Sequence, residues 1–264
     1  VPILETLELT RSFGSLVAVD RLSIRIEAGQ VFGLLGSNGA GKTTVIKMLT
    51  TLLPPTSGTA TVAGFDIRKQ APKVRRVIGY VPQMISADGT LTGYENLLIF
   101  AKLYDIPRRE RQARIHDALA LMELTDAQDR LVREYSGGMI RRLEIAQAML
   151  HRPPVLFLDE PTAGLDPIAR RSVWDRLRSL KADFQTTVFL TTHLMEEADA
   201  LCQQIAILHR GRVAASGSPE ELKASIGPDA TMDDVFVRYA GTAVESGGTY
   251  QDVSRARRTA QRVG

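Results

Sequence analysis

Apolar residues in this chain fall into two alternating patterns. Short runs rich in apolar and β-branched residues predict strands at 31–35, 78–81, 187–191 and 205–208. The run 155–158, bounded by Pro153-Pro154 and Pro161, has the unbroken apolar character of a central parallel strand. Further strands are predicted at 4–9 and 22–27, around a turn at Phe13, and at 59–63. Elsewhere the apolar spacing lengthens to three and four. It predicts helices at 43–50, with Val45, Ile46 and Leu49 on one side, at 140–150, and at 167–180, with Val173, Trp174 and Leu177 packed on the sheet. Residues 95–150 change character: 95–104 and 108–121 predict helices split by Pro107. Alternation of strands and helices on this scale is the pattern of an α/β protein.

The strand at 31–35 runs into Gly36-Ser37-Asn38-Gly39-Ala40-Gly41-Lys42-Thr43, followed by Thr44. This is the Walker A spacing, in the strand–turn–helix setting that its chemistry needs. Glycines let consecutive N–H groups turn towards phosphate oxygens, and the helix start adds positive potential. Lys42 is the candidate point charge for the β and γ phosphates of ATP. The Thr43 hydroxyl is a candidate ligand for Mg²⁺, a hard cation that takes oxygen donors.

The strand at 155–158 ends in Asp159-Glu160. Ligands of parallel sheets bind beyond the carboxyl ends of the strands. Asp159 is therefore placed to hold Mg²⁺ directly or through water. Glu160, one residue on, is the candidate general base for the attacking water.

With these residues in hand, the chain resembles the ATPase subunit of an ABC transporter over residues 3–240. The resemblance implies that Phe13, in Arg-Ser-Phe-Gly-Ser, stacks on adenine, for which it offers a flat π face. It implies that Gln83, in Tyr-Val-Pro-Gln, senses the γ phosphate and Mg²⁺. Tyr135-Ser136-Gly137-Gly138-Met139 resembles the signature loop, usually Leu-Ser-Gly-Gly-Gln, and 161–166 resembles the D-loop. Thr191-Thr192-His193 ends in the switch histidine, suited to contact the γ phosphate and the catalytic carboxylate. In this family the signature loop meets ATP held by a facing subunit. Ser136, Gly137, Gly138, Met139 and Asp166 are thus expected to reach nucleotide in trans. The implied catalytic set is Lys42, Gln83, Glu160 and His193, and the implied metal set is Thr43, Gln83 and Asp159.

Tyr135 and Met139 depart from the usual loop, but the Ser-Gly-Gly centre is intact. Together with Arg141-Arg142 and the run 191–199, they resemble the daunorubicin-resistance type of exporter ATPase. The implied fold class is α/β: a P-loop NTPase (ABC ATPase) core with an N-terminal antiparallel β subdomain, an inserted helical subdomain and a small C-terminal appendage. The expected domain covers 3–216, its helical subdomain about 84–150, and the appendage 217–240. The run 231–236 resembles the tail element of the exporter subgroup. The Gly-, Ser- and Arg-rich tail 241–264 is expected to be disordered. No internal repeat is present, so a single cassette is expected.

Composition narrows the partners. Apolar content of 44% and charged content of 24% are ordinary for a globular protein. A net charge of +3 tolerates a membrane surface without calling for nucleic acid. Most of the arginines, which group at 108–111, 141–142, 170–171 and 255–258, predict solvated faces. No apolar run reaches bilayer-spanning length, and no hydrophobic signal segment opens the chain. Cys202, the lone cysteine, excludes an intrachain disulfide and is expected as a buried thiol on a helix. The expected place is peripheral, on the cytoplasmic face of the cell membrane, with a second copy of the chain and a separate integral-membrane permease as partners. The apolar residues Leu97, Leu98, Ile99, Phe100, Leu103 and Tyr104 exceed what one stripe needs. They either fill the subdomain core or form a groove lip near Gln83 for a short helix of the permease.

The expected function is ATP hydrolysis powering export of a drug, antibiotic or lipid-like substrate. The rival is an ABC-type ATPase acting on ribosomes or DNA. Translation factors of that kind usually carry two cassettes, and repair ATPases a long heptad coiled coil; neither feature is in this sequence. A kinase using the same phosphate loop leaves Ser136-Gly137-Gly138 and Glu160 without a role. Fold alone does not decide among these.

Overall fold

The computed structural model describes residues 1–241, with the backbone alone at 181–184. The tail expected to be disordered lies, beyond Gly241, outside the described residues. In chain order, the hairpin β1 (Leu4–Phe13) and β2 (Leu16–Leu22) is followed by β3 (Arg25–Ile26) and β4 (Val31–Leu35). The phosphate loop leads from β4 into α1 (Lys42–Leu49). Next come β5 (Ser57–Val62), β6 (Phe65–Asp66), α2 (Ala71–Arg76) and β7 (Ile78–Val81). The inserted helices are α3 (Gly93–Leu103), α4 (Arg108–Leu121) and α5 (Gly137–Met149). Then follow β8 (Val155–Asp159), α6 (Pro167–Phe184), β9 (Thr187–Thr192), α7 (Met195–Leu201), β10 (Gln204–His209) and β11 (Arg212–Gly217). Helices α8 (Pro219–Ala224) and α9 (Met232–Ala240) form the C-terminal appendage.

The larger sheet runs β11-β10-β4-β9-β8-β7, parallel except for the β10–β11 pair. The smaller, antiparallel sheet runs β2-β1-β5-β6, with β3 also on β1. All residues of β4, β8 and β9 are buried. Their two faces serve different cores. Leu156 and Leu158 of β8 pack with Leu97, Leu119 and Leu143 of the inserted helices. Val155 and Phe157 pack with Ile46 of α1 and Leu4 and Ile26 of the antiparallel sheet. Burial on both sides is why these strands read as unbroken apolar runs. The register pairs Leu35 with Thr192, Asp159 with Thr191 and Val81 with Leu158. The carboxyl ends of β4, β7, β8 and β9 therefore lie in one row, and the chemistry sits there.

The structure differs from expectation in several places. Phe13 ends β1 and does not centre the turn; Gly14, at φ 58°, takes the left-handed turn position. The strand expected at 22–27 is divided between β2 and β3. Strand β11 alternates exposed and half-buried residues and has no apolar run to announce it. Helix α5 starts at Gly137, ahead of the expected 140, because the Ser136 hydroxyl caps it by accepting the Met139 N–H at 3.3 Å. Cys202 is buried as expected but lies just past α7. Of the six apolar residues on and just after α3, Leu97 is core, whereas Ile99 and Leu103 are exposed. No helix among the described residues is long and apolar enough to cross a membrane.

Candidate active site

The loop between β4 and α1 is pinned from behind. The Gly36 N–H donates to the Thr192 carbonyl at 3.2 Å. A Cβ at Gly36 would stand 2.7 Å from the Leu208 carbonyl oxygen, and one at Gly41 2.5 Å from that of Ala18. Gly41, at φ 110°, is therefore required both by space and by backbone conformation. Helix α1 starts on it without a side-chain cap, which leaves its first N–H groups to receive an anion. The Lys42 ammonium folds back onto the Gly36 carbonyl at 2.8 Å and the Ser37 carbonyl at 3.1 Å. It also meets Glu160 Oε1 at 3.1 Å.

Asp159 closes β8. Its Oδ1 accepts from the Thr191 hydroxyl at 2.6 Å and the Thr43 hydroxyl at 3.3 Å. Glu160 follows with a left-handed backbone, φ 49°, held by its N–H donating to the carbonyl and hydroxyl of Thr191, both at 3.1 Å. Such a conformation in a residue other than glycine is kept where surroundings over-determine it. Gln83 Nε2 donates to Glu160 Oε2 at 3.2 Å, and His193 Nδ1 faces the same oxygen at 3.1 Å. The buried carboxylate thus has a cation on one oxygen and two polar side chains on the other, which is what a buried charge needs. Tyr80 of β7, absent from the sequence-based set, adds a phenol pushed up to about 12 by burial and then by the charge of Asp159.

An open cavity of about 470 Å³ adjoins these groups. Asn38, Gly39 and residues 41–44 line one side, with Gln83, Glu160, His193, Ala18 and Ala163 around the rest. Ala18 and Ala163 carry no chemical signal that sequence reasoning could have used. Gly36, Ser37 and Ala40 hold the loop and do not line the cavity. Nor does Phe13, which is 45% exposed with the Arg11 guanidinium 4.6 Å above its ring. Thr43 and Asp159 bring a hydroxyl and a carboxylate together, the hard oxygen donors that Mg²⁺ takes. No cluster of three or more His, Cys, Asp or Glu side chains suited to a metal occurs among the described residues. An ion here would draw its remaining ligands from phosphate and water, as Mg²⁺ usually does.

The signature residues form a separate cleft of about 490 Å³ with Ser136, Gly138, Met139, Asp166, Ile168 and Ala169 on its walls. It shares no lining residue with the Lys42 cavity. Gly138 is needed for the packing of α5 on α6, since a Cβ there would stand 2.8 Å from the Ala169 methyl. Asp166 Oδ1 accepts the N–H groups of Ile168 and Ala169, both at 2.9 Å. The structure also explains Tyr135. Its ring is buried and its hydroxyl donates to the Ala127 carbonyl at 2.7 Å. The arginines at 141–142, expected on a solvated face, are not there: Arg141 is 6% exposed and Arg142 half-buried. Arg142 donates to the Met122 carbonyl at 2.8 Å, and Arg141 turns to the loop of Gln83.

Comparisons with known proteins agree with this geometry. The family model for the ABC transporter matches residues 19–163. The daunorubicin/doxorubicin resistance ATP-binding protein DrrA of Streptomyces peucetius is 48% identical over 227 residues, covering 85% of this chain and 68% of that protein. Among solved structures, cbiO1 from Clostridium perfringens, part of the ABC transporter complex cbiONQ, aligns with a TM-score of 0.80 and 28% identity, over 90% of this chain and 94% of that one. The ATP-binding cassette MJ0796, in a dimeric post-hydrolysis state bound to ADP and Pi, aligns with a TM-score of 0.72 and 25% identity, over 81% of this chain and 98% of that one. The chain belongs to the ABC transporter family, as an ATP-binding and ATP-hydrolysing subunit. Subunits of this kind work as dimers with a membrane permease.

Proposed function

We propose that two copies of this chain close head to tail on two ATP molecules, and that the cycle drives export through a separate integral-membrane permease. The observation that carries this reading is the separation of the Ser136 cleft from the Lys42 cavity. Within one chain the two cradles share no lining residue, which leaves the second free to serve another copy. Lys42 and the N–H groups of 39–44 hold the phosphates, and Phe13 supplies a stacking face for adenine. Ser136, Gly137, Gly138, Met139 and Asp166 reach the nucleotide of the other copy. Phosphate takes over Lys42 from Glu160, and Glu160 then accepts the proton of the attacking water. His193 and Gln83 orient that carboxylate and contact the γ phosphate. Thr43, Asp159 and Gln83 would hold Mg²⁺, which neutralises phosphate charge when bound.

Because each phosphate group is gripped by two chains, ATP occupancy and closure are linked equilibria. The domain runs 3–216, with 217–240 as an appendage. The exposed side chains of Met84 and Ile85 beside Gln83, and of Ile99 and Leu103 on α3, supply an apolar surface for a short helix of the permease. That assembly keeps the chain on the cytoplasmic face of the membrane. The name of the Streptomyces relative favours an antibiotic or similar amphipathic cargo. Light scattering of Glu160→Gln with ATP and Mg²⁺ tests the pairing: the expected mass is twice that of the chain, and adding Ser136→Arg returns it to one. A single-chain mass at saturating ATP sinks the paired-site reading. Co-purification with ribosomes or DNA, in place of a membrane protein, sinks the exporter reading.

A further inference from the structure

Arg141 and Glu144 lie one turn apart on α5, close behind the Ser136 loop, with side chains only 7% and 1% exposed. Arg141 Nη1 stands 3.0 Å from Glu144 Oε2. Burying two charges costs more than their attraction returns unless further hydrogen bonds are made. Here the further bonds run to a single other segment. Arg141 donates through Nη1 to the Pro82 carbonyl at 2.8 Å and through Nη2 to the Gln83 carbonyl at 3.0 Å. Glu144 Oε1 accepts the Ser86 N–H, and the Ser86 hydroxyl at 3.0 Å. The loop is gripped on both sides of the Gln83 side chain, whose amide reaches Glu160. Neighbouring positions on α5 fill the core with Leu143, Ile145 and Ala146. Packing alone would be served by another apolar pair.

The geometry points to Arg141 and Glu144 as a strut that fixes Gln83 relative to the helix carrying Ser136. Docking of the Ser136 loop on a second copy's nucleotide then changes where Gln83 stands at the chain's own ATP. This rests on the roles proposed above for Ser136 and Gln83, and adds two positioning residues that touch no nucleotide. The strut needs both chemistries. Two adjacent carbonyls call for the donor fork of an arginine, and the Ser86 N–H calls for an acceptor.

The test measures ATP turnover by the full chain for Arg141→Ala, Arg141→Lys and Glu144→Gln, alone and combined with Gln83→Ala. Arg141→Ala is expected to lower kcat about tenfold, the scale of a small misplacement, and to leave KM for ATP within about twofold. Adding it to Gln83→Ala brings no further loss, because both changes remove one function. Arg141→Lys, which cannot span both carbonyls, falls between. The exchanged pair, Arg141→Glu with Glu144→Arg, stays impaired, since the Pro82 and Gln83 carbonyls then face an acceptor. Losses that multiply in the double variant overturn the strut, because Arg141 then acts without Gln83. Full recovery in the exchanged pair overturns it too, because the pair then serves only its own helix. Should Arg141→Ala not fold, Arg141→Lys and Glu144→Gln carry the same comparison. Wild-type turnover in Gln83→Ala sinks the role of Gln83 and the strut together. ATP-driven pairing of the Glu160→Gln chain is scored separately, so a failed strut with pairing intact leaves the paired site standing.

Discussion

Lys42 Nζ lies 3.1 Å from Glu160 Oε1, and the two side chains are 5% and 7% exposed. The phosphate-binding cation and the candidate base neutralise each other inside the cavity. Removing only one leaves an uncompensated buried charge, which costs about 3–5 kcal/mol. Lys42→Met is therefore expected to lose ATP binding and to be destabilised by about 3 kcal/mol. The double variant Lys42→Met with Glu160→Gln should recover most of that stability and none of the binding. Denaturant unfolding of the three chains checks this; a double variant no more stable than Lys42→Met refutes the pair.

Glu160→Gln keeps the shape of the side chain and its reach to Gln83 and His193 but cannot take a proton. The expected loss in kcat is about 10³-fold, within the range of general-base catalysis, with nucleotide still bound. His193→Ala should cost less, since it removes an orienting contact and leaves the base. Steady-state turnover orders the two; Glu160→Gln with normal kcat removes Glu160 from the role of base.

His151 offers a pH dependence of stability. Its ring stacks on Tyr104 with centroids 3.9 Å apart, and Nε2 lies 3.0 Å from the Ile78 carbonyl. That bond places the proton on Nε2, so a second proton must go to Nδ1, which is buried without a hydrogen-bond partner. Burial holds the imidazole below its ordinary value of 6.5. As pH falls, the unfolded chain takes up this proton before the folded one, so stability is held above that value and declines below it. The unfolding midpoint should begin to drop as pH falls through about 6.5 and keep dropping below it. His151→Phe should flatten that slope. Asp66, held below its ordinary 3.8 chiefly by the Lys69 and Arg68 N–H groups, acts only at lower pH.

Gly33 and Cys202 make a packing pair across β4 and the end of α7. A Cβ at Gly33 would stand 2.6 Å from Cys202 Sγ. Gly33→Ala is expected to cost about 1–3 kcal/mol by overpacking, and Cys202→Ala should relieve much of it in the double variant. Burial pushes the Cys202 thiol up, the charge of Glu197 adding to it. Thiol reagents at neutral pH should therefore label the folded wild-type chain only as fast as it unfolds. Rapid labelling under native conditions would contradict this burial.

The site was legible from the sequence where chemistry restricts the residue choice. Gly41, Lys42, Asp159 and Glu160 admit few alternatives at their spacing, and the strands that carry them are apolar on both faces. Strand β11 was not legible, because half-exposed positions on a sheet edge show no apolar run. Nor was α2, a helix of only six residues with Pro72 near its start. Arg141 misled for a different reason. Beside a glycine pair it reads as surface charge, yet its guanidinium ends on carbonyls 58 and 59 positions away. Contacts at that separation leave no periodicity in a single sequence. Tyr80 and Ala18 were missed likewise: pairing of β7 with β8 brings Tyr80 beside Phe157 and within reach of the charge of Asp159, and Ala18 of β2 lines the cavity with a methyl group that carries no chemical signal.

Strands β7 and β8 are parallel neighbours, yet residues 82–154, the whole helical insertion, lie between them. The insertion is in effect one swollen crossover, and its closure has a bearing on folding order. Thr43 and Asp159, which share one candidate metal site, are 116 positions apart. At ribosomal speeds of roughly 5–20 residues per second, the second emerges on the order of ten seconds after the first. During that interval the phosphate loop has been synthesised without its carboxylates, and β4 waits for β9, its inner neighbour in the sheet. Nucleotide can therefore stabilise the nascent chain through the full site only after the crossover has been traversed, which makes ATP a late ligand in the folding of its own enzyme.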